Sequence, residues 1–243
     1  KENDKYFSKN LASMGDIYVN NAFGTCHRKH SSTYGIIKHI NNYCIGDLVE
    51  DEIKNIEKVL YDNEKPFTAI LGGSKVSDKI NVIKRLIDLV DNIIIGGAMA
   101  NTFLKANGVC VGKSLFEEDK LDIALQLQEN ASKKNVKIYL PVDFICAKSL
   151  HDNMTEVFDV KSIPSNYSCY DIGNKTVTLF EKIILKSKKI IWNGPMGVFE
   201  IDKFSTGTFN ICNMVASSTH KGTFSLVGGG DSVASVKINN KEK

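Results

Sequence analysis

The chain has 243 residues, 42% of them hydrophobic and 24% charged, which is typical of a globular protein with one large domain or two small ones. Its net charge of +3 gives no reason to expect a nucleic acid or an acidic membrane as partner. No apolar run approaches the roughly 20 residues that a membrane-spanning helix needs, so we also expect no membrane association.

The first part of the sequence, residues 1–46, differs in character from the rest. It contains a strand-like run at residues 17–19 and a polar, basic stretch over residues 24–32. A helical pattern follows, and we interpret residues 47–61 as a helix that connects two domains. Residues 62–243 then form the second and larger domain.

The larger domain repeats one arrangement, in which a short apolar strand leads into a glycine cluster. This arrangement occurs four times, at residues 67–73, 93–97, 189–197 and 223–230. Such strands, alternating with amphipathic helices, are typical of a parallel sheet covered on both faces. Ligands of these sheets bind beyond the carboxyl ends of the strands. We therefore predict an α/β fold with a Rossmann-like, three-layer parallel sheet and a binding site at the glycine clusters.

The segments between these strands have the periodicity of helices. Apolar residues at spacings of three and four, from Val76 to Val90, predict a helix that starts directly after the first glycine cluster. Further helices are predicted at Met99–Lys105 and Glu117–Lys134, and a strand at Val136–Leu140. The segment Asp159–Asn174 has the weakest periodicity, so we predict loops there.

The segment from Gly72 to Lys79 has the composition of an anion-binding site. Its two glycines free the backbone to wrap an anion, and the next residues are expected to open a helix with outward-pointing N–H groups. Lys75 and Lys79 would share one helix face. Two lysines in a first turn oppose the helix dipole, which makes sense if a phosphate chain sits between them. A plain turn before a solvated helix is the alternative, and no Walker A pattern is present.

Two other glycine clusters carry functional groups. The first, residues 228–232, is either a turn whose Asp231 and Ser232 cap the next helix or a phosphate pocket in which Asp231 holds Mg²⁺. The second, residues 193–200, offers apolar side chains and Glu200, which suit a flat base and a ribose; a tight turn with an exposed glutamate is the alternative. No GxSxG or HExxH motif indicates a covalent nucleophile or a zinc protease, and phosphoryl transfer needs neither.

The basic stretch over residues 24–32 is either a solvated loop or a site for a small phosphorylated or carboxylated substrate, met by Arg28. A zinc site at His27 and His30 lacks paired cysteines. A nucleic-acid interface lacks flanking aromatic residues.

The six cysteines occur singly and form no CxxC pair, which predicts reduced thiols and a cytoplasmic location. The first residues lack the apolar core of a signal peptide. They also lack an initiator methionine, so we expect a fragment or a trimmed product.

Six blocks of the sequence resemble the phosphoglycerate kinase family, in family order and spacing: residues 18–28, 71–80, 94–105, 140–144, 192–200 and 228–232. The resemblance implies the family's nucleotide-binding domain, truncated at its end and preceded by the last part of the phosphoglycerate-binding domain, a remnant of a second α/β domain. It also implies a glycolytic transferase that moves a phosphoryl group reversibly from 1,3-bisphosphoglycerate to Mg-ADP, giving 3-phosphoglycerate and Mg-ATP. We expect a monomer.

Carried over position by position, the resemblance implies catalytic roles for Lys79, Lys75 and Arg28, and contacts of His27 and Arg28 with the phosphoglycerate. Asp231 and Asp78 would hold the Mg²⁺ that accompanies ADP or ATP. The implied nucleotide-binding residues are Gly73, Ser74, Lys75, Lys79, Gly97, Ala98, Cys169, Asn193, Pro195, Gly197, Val198, Phe199, Glu200, Gly229, Gly230, Asp231 and Ser232.

Three positions depart from the family pattern. Ala98 stands where many relatives have glycine, Cys169 stands where a glycine usually lies near the adenine, and Ser232 replaces a threonine but keeps the hydroxyl. Most of the family's first domain and its closing Ser-Thr-Gly-Gly-Gly segment are not in this sequence, so we expect nucleotide binding without full activity. A non-catalytic nucleotide-binding or scaffold protein of the same fold is the alternative. A Rossmann dehydrogenase would need a GxGxxG fingerprint.

Overall fold

The structure, a computed structural model, describes residues 2–61 and 63–241. Residues 1, 62, 242 and 243 of the predicted domain ranges lie outside the described part. The chain divides into two compact units, Lys1–Asp62 and Asn63–Lys243. Within the described residues, no helix has both the length and the apolar character needed to cross a bilayer.

The first unit is small. Its elements in chain order are α1 (Lys5–Ala12), β1 (Tyr18–Asn20), β2 (Tyr43–Ile45) and α2 (Asp47–Tyr61). The carboxylate of Asp4 caps α1 by accepting the N–H of Phe7 at 2.6 Å. The strands β1 and β2 pair in parallel, with Val19 opposite Cys44. The strand predicted near residues 17–19 and the helix predicted over residues 47–61 are both confirmed.

The second unit carries the larger sheet. Its elements in chain order are β3 (Phe67–Leu71), α3 (Ile80–Leu86), β4 (Asn92–Ile95), α4 (Met99–Ala106), α5 (Leu121–Lys133), β5 (Lys137–Tyr139), β6 (Asp143–Ala147), β7 (Glu156–Asp159), β8 (Ser168–Ile172), α6 (Asn174–Ile184), β9 (Lys189–Asn193), α7 (Thr206–His220), β10 (Phe224–Gly228) and α8 (Gly230–Ile238). Five strands form one sheet in the order β10-β9-β3-β4-β5, and every neighbouring pair is parallel. The predicted α/β fold with a parallel sheet is confirmed.

The middle strands of the sheet, β3, β4 and β9, lie inside the unit because most of their residues are buried on both faces. All five residues of β3 are buried, so elements cover this strand on both sides. On one face, Ile70 and the fully buried Trp192 pack against Phe180 of α6 and Ile211 of α7. Burying each side chain of this size stabilises the fold by roughly 1.5–3 kcal/mol.

The prediction of loops at Asp159–Asn174 is wrong, because β8 lies within that segment. It belongs to an antiparallel sheet in the order β7-β6-β8. Buried polar residues disguise the strand: Ser168 and Asp171 are 8% and 1% exposed. Asp171 finds its hydrogen-bond partner in Gly207, 36 residues away, so apolar periodicity is a poor guide here.

The helix predicted directly after Gly73 begins only at Ile80 and ends at Leu86, and residues 74–79 form bends and turns instead. The reason is that Ser77, a natural helix cap, gives its hydroxyl and its N–H to the carboxylate of Glu117 at 2.6 and 3.0 Å. Lys79 occupies the cap position. The expectation that Lys75 and Lys79 share a helix face is therefore wrong.

Candidate functional site

The four glycine clusters meet at one edge of the sheet, because β3, β4, β9 and β10 are parallel neighbours whose carboxyl ends lie on the same side. Backbone hydrogen bonds join three of the clusters. The N–H of Gly73 donates to the carbonyl of Pro195 at 3.0 Å, and the N–H of Gly97 donates to the carbonyl of Met196 at 3.0 Å. These three clusters thus form one continuous backbone surface.

Glycine is required where these turns touch. A Cβ atom added to Gly72 would lie 2.0 Å from the carbonyl oxygen of Pro195, closer than atoms of real side chains approach. Gly97 has a φ of +65°, which side-chain-bearing residues rarely adopt, and its Cβ would lie 2.6 Å from the backbone nitrogen of Gly73. The glycines therefore serve close backbone approach as well as turning.

A cleft of about 350 Å³ opens above these turns. It brings together eleven of the residues predicted from the sequence: Gly73, Ser74, Lys75, Asp78, Lys79, Asn193, Pro195, Gly229, Gly230, Asp231 and Ser232. Gly72, Val82 and Gly194 complete its lining. Lysine ammonium groups and glycine backbone are the groups that bind phosphates. We refer to this space as the phosphate cleft.

Lys79 is the best-positioned cation of the phosphate cleft. Its Nζ atom donates to the backbone carbonyl of Asn193 at 3.0 Å and also to the side-chain Oδ1 of that residue. Partial burial lowers the pKa of Lys79, while the nearby carboxylates of Asp78 and Asp231 act in the opposite direction. The ammonium group is thus held by a neighbouring strand end and has two acidic residues beside it.

Glu117 fixes the shape of the loop that carries the lysines, and sequence reasoning missed it. Its carboxylate accepts both hydrogen bonds from Ser77, 40 residues away. Burial opposes ionisation of Glu117, but the hydrogen bonds from Ser77 and Val76 outweigh it and lower the pKa of this carboxyl. No local motif connects residues at such a separation.

The acidic groups of the phosphate cleft suit a metal ion that arrives with its ligand. Asp78 and Asp231 both line the cleft and are exposed. Among residues 2–61 and 63–241, no group of three or more His, Cys, Asp or Glu side chains is arranged to hold a metal. Mg²⁺ in nucleotide sites keeps water and phosphate ligands and takes only one or two carboxylates, so these residues fit it.

The sequence suggests that Ser232 caps a helix or contacts the nucleotide, but the structure gives its side chain a different place. The side chain is fully buried, and its hydroxyl oxygen accepts the N–H of Gly194 at 2.6 Å. It lies in the first turn of α8 beside Asp231. The hydroxyl therefore holds the Gly194 turn in place from beneath the cleft.

A second cleft of about 490 Å³ is continuous with the first, because Gly73, Ser74, Pro195 and Asp231 line both. The predicted residues Gly97, Ala98, Cys169, Gly197, Val198 and Glu200 line it as well. Its other lining residues, none of which is among the predicted site residues, are Lys113, Leu115, Phe144, Leu150, Ser168, Tyr170, Asp171 and Met196. Apolar side chains with a few polar groups at the margin are typical of a slot for a flat ring. We refer to this space as the base cleft.

Asp171 lies in the wall of the base cleft and holds two loops. Its carboxylate accepts the N–H of Gly207 at 2.7 Å and the N–H of Ile172 at 2.9 Å. Burial raises the pKa of Asp171 to about 7, against the effect of these two hydrogen bonds. A Cβ atom on Gly197 would lie 2.3 Å from its Oδ1, so the carboxyl group packs directly on that loop.

Three predicted site residues lie elsewhere. Phe199 is 6% exposed and lines neither cleft. His27 and Arg28 belong to the first unit, where both are exposed, and the Nε of Arg28 donates to Nε2 of His27 at 3.2 Å.

Comparisons with known proteins identify the family of the chain. A family model described as phosphoglycerate kinase matches residues 1–243. A phosphoglycerate kinase of Finegoldia magna is 51% identical over 245 residues, which cover 100% of this chain and 61% of that protein. One of Prosthecochloris aestuarii is 49% identical over 97% of this chain and 60% of that protein. The chain thus spans about three-fifths of the length of these curated relatives.

Solved structures lead to the same family. Phosphoglycerate kinase from Coxiella burnetii superposes with a TM-score of 0.87 at 42% identity, covering 99% of this chain and 61% of that one. The enzyme from Pyrococcus horikoshii OT3 superposes with a TM-score of 0.84 at 29% identity, covering 98% and 61%. The chain belongs to the phosphoglycerate kinase family.

Proposed function

We propose that the chain carries the nucleotide-binding part of a phosphoglycerate kinase, which transfers a phosphoryl group between 1,3-bisphosphoglycerate and Mg-ADP. The observation that supports this most directly is the pairing of two clefts, one lined by lysines and glycines and the other largely by apolar side chains. A nucleoside diphosphate has the same division, with charged phosphates at one end and a flat base at the other. The glycolytic, cytoplasmic and monomeric character that the family suggests is part of the proposal.

The proposed arrangement uses positioning and charge, which are the main contributions of a protein to phosphoryl transfer. Lys75 and Lys79 bind phosphate oxygens, and Lys79 stays with the transferring group. The backbone of Gly229 and Gly230 borders the same phosphates, and Glu200 binds the ribose at the edge of the base cleft. Asp78 and Asp231 would hold the Mg²⁺ of the nucleotide, and its positive charge would offset the negative charge of the phosphates.

The division of labour along the chain is also proposed. Residues 62–243 bind the nucleotide, residues 47–61 are a connecting helix, and residues 1–46 come from the phosphoglycerate-binding domain. Arg28 and His27 would contact the phosphoglycerate, since a guanidinium group pairs well with phosphate and carboxylate. We infer that these 243 residues alone bind Mg-ADP but catalyse little turnover.

A chimaera separates this proposal from a non-catalytic nucleotide-binding or scaffold function. Residues 1–243 replace the 245 matching residues of the Finegoldia magna enzyme, to which they are 51% identical. We expect the chimaera to be active in a coupled assay, because the exchanged part supplies both clefts, while the 243 residues alone bind Mg-ADP with little turnover.

Two results would contradict the proposal. A folded chimaera that binds Mg-ADP without turnover would favour the non-catalytic alternative. Full turnover by the isolated 243 residues would show that the inferred division between nucleotide and phosphoglycerate parts is wrong.

A further inference from the structure

Two buried cysteines face each other across the antiparallel sheet at the base cleft. Cys146 of β6 is the register partner of Cys169 of β8, and their Sγ atoms are 3.6 Å apart. Cys146 is fully buried, whereas Cys169 is 8% exposed and lines the base cleft. The two residues are 23 positions apart along the chain.

The geometry allows these thiols to join. Register partners in antiparallel strands have Cα atoms about 4.5–5.5 Å apart, which lies within the ~4.4–6.8 Å range that a disulfide spans. The sulfurs need to approach from 3.6 Å to a bond length of about 2.05 Å. A register shift lies next to Cys146, with Tyr170 as the extra residue of β8.

The two thiols have different roles. The Cys146 thiol donates to the sulfur of Cys169 and so lowers the pKa of Cys169, with the Ser114 side chain assisting and burial opposing. The same hydrogen bond, with burial, raises the pKa of Cys146. Cys169 is therefore the thiol that ionises first, and it is also the one that a small oxidant can reach through the base cleft.

We propose that Cys146 and Cys169 are an oxidation-sensitive thiol pair that a hydroperoxide converts into a disulfide in the wall of the base cleft. The Cys169 sulfur attacks the terminal peroxide oxygen; an S–O bond forms, the O–O bond breaks, and the alkoxide leaves with the thiol proton as an alcohol. The Cys146 sulfur then attacks the sulfenic sulfur, the S–S bond forms, and water leaves with the Cys146 proton. Two thiols and one hydroperoxide thus give a disulfide, an alcohol and water.

Formation of the disulfide would change the base cleft, and the effect on nucleotide binding rests on the proposed function. Drawing Cys169 towards Cys146 moves a lining residue away from the cleft, which widens the slot and removes contacts with a bound base. A bound base in turn covers Cys169. Mg-ADP therefore slows the oxidation, and the disulfide form binds Mg-ADP several-fold more weakly than the thiol form.

The experiment maps the cysteines after treatment with hydrogen peroxide. The exposed Cys26, Cys44 and Cys110 are first changed to serine, which prevents crosslinks between molecules. We expect a Cys146–Cys169 crosslinked peptide, lighter than the two separate peptides by two hydrogen atoms and released by dithiothreitol. Cys212, which is buried in the core around Trp192, is the internal control. We expect its thiol to stay reduced and to be alkylated once the protein is unfolded.

Each alternative outcome overturns the proposal. Three results would show that the pair does not form a disulfide. Both thiols could remain alkylatable, one of them could be crosslinked to a different cysteine, or Cys169 could become a sulfinic acid while the Cys146 thiol stays intact. In the Cys146→Ala variant, we expect a Cys169 sulfenic acid that dimedone traps; if that variant does not fold, the crosslink map of the parent protein decides alone.

The nucleotide measurements separate this inference from the proposed function. If the reduced protein binds no Mg-ADP, the proposed function fails, whereas the crosslink map still tests the thiol pair. The disulfide could also form at the same rate with and without Mg-ADP, and the oxidised protein could bind Mg-ADP as tightly as the reduced protein. In that case the inferred effect on the base cleft is wrong.

Discussion

Asp171 is a buried carboxyl group whose two oxygens both accept backbone N–H groups. Burial raises its pKa from 3.8 to about 7, so between these values the folded protein holds a proton that the unfolded chain has released. The stability that depends on this proton is present below pH 3.8 and is lost as the pH rises through 7. A shift of this size corresponds to about 4 kcal/mol as an upper, order-of-magnitude value.

The substitution Asp171→Asn tests whether stability falls as the pH rises. The variant cannot ionise, so its free energy of unfolding should change less between pH 5 and pH 8 than that of the parent protein. At pH 5 the variant should be less stable by about 1–3 kcal/mol, because the amide turns a donor towards a backbone N–H. Urea unfolding at the two pH values measures both effects. An identical pH dependence in the two proteins would mean that Asp171 is already ionised at pH 5.

At the level of single residues, the sequence predicts the groups that lie beside a glycine cluster. Lys75, Lys79 and Asp231 all line the phosphate cleft, as the glycine clusters beside them suggested. Residues that act on distant partners are missed: Glu117 holds Ser77, 40 positions away, and Asp171 holds Gly207, 36 positions away. Their partners are brought close only by the order of the strands.

The turns at the strand ends are interlocked elements. The N–H of Gly72 donates to the carbonyl of Asn193 at 3.0 Å, and the Cα of Gly72 faces the carbonyl oxygens of Gly194 and Pro195. Because these contacts are with backbone, they cannot be relieved by turning a side chain. The strand pair β3 and β9 must separate to admit even a methyl group.

The substitution Gly72→Ala should therefore lower the free energy of unfolding by about 3 kcal/mol or more, at the upper end of the usual cost of overpacking. Gly230→Ala makes the same chemical change where no atom lies within 4 Å of the added Cβ. It should be neutral or stabilising by up to about 1 kcal/mol, since alanine restricts the unfolded chain. Urea unfolding of both variants gives the comparison. Equal stabilities would mean that the Gly72 turn is not tightly packed.

Among the elements, the strands β3, β4, β9 and β10 are predictable because each is a short, largely apolar run that leads into a glycine cluster. The start of α3 is not, because Ser77 binds Glu117 and does not cap a helix. Neither is β8, whose buried polar residues are satisfied by partners on other elements. In both cases tertiary hydrogen bonds outweigh the local pattern.

At the scale of the whole molecule, the order of the strands creates the site. Residues from four separate stretches of sequence meet because β10, β9, β3 and β4 are neighbours in one parallel sheet. The sequence predicts that such a site lies at the carboxyl ends of the strands. It does not give the strand order, which depends on how the helices pack, and the antiparallel sheet that completes the base cleft was not foreseen.

The central claim is that this edge of the sheet binds Mg-ADP with Lys75 and Lys79 on its phosphates, and a calorimetric titration tests it directly. The double variant Lys75→Ala with Lys79→Ala should bind Mg-ADP at least about 100-fold more weakly than the parent chain, since two charge-assisted contacts of about 1.5–3 kcal/mol each are lost. The control Lys133→Ala with Lys186→Ala removes the same charge from exposed positions outside both clefts and should leave the affinity within about twofold. Equal affinities of the two double variants would contradict the account.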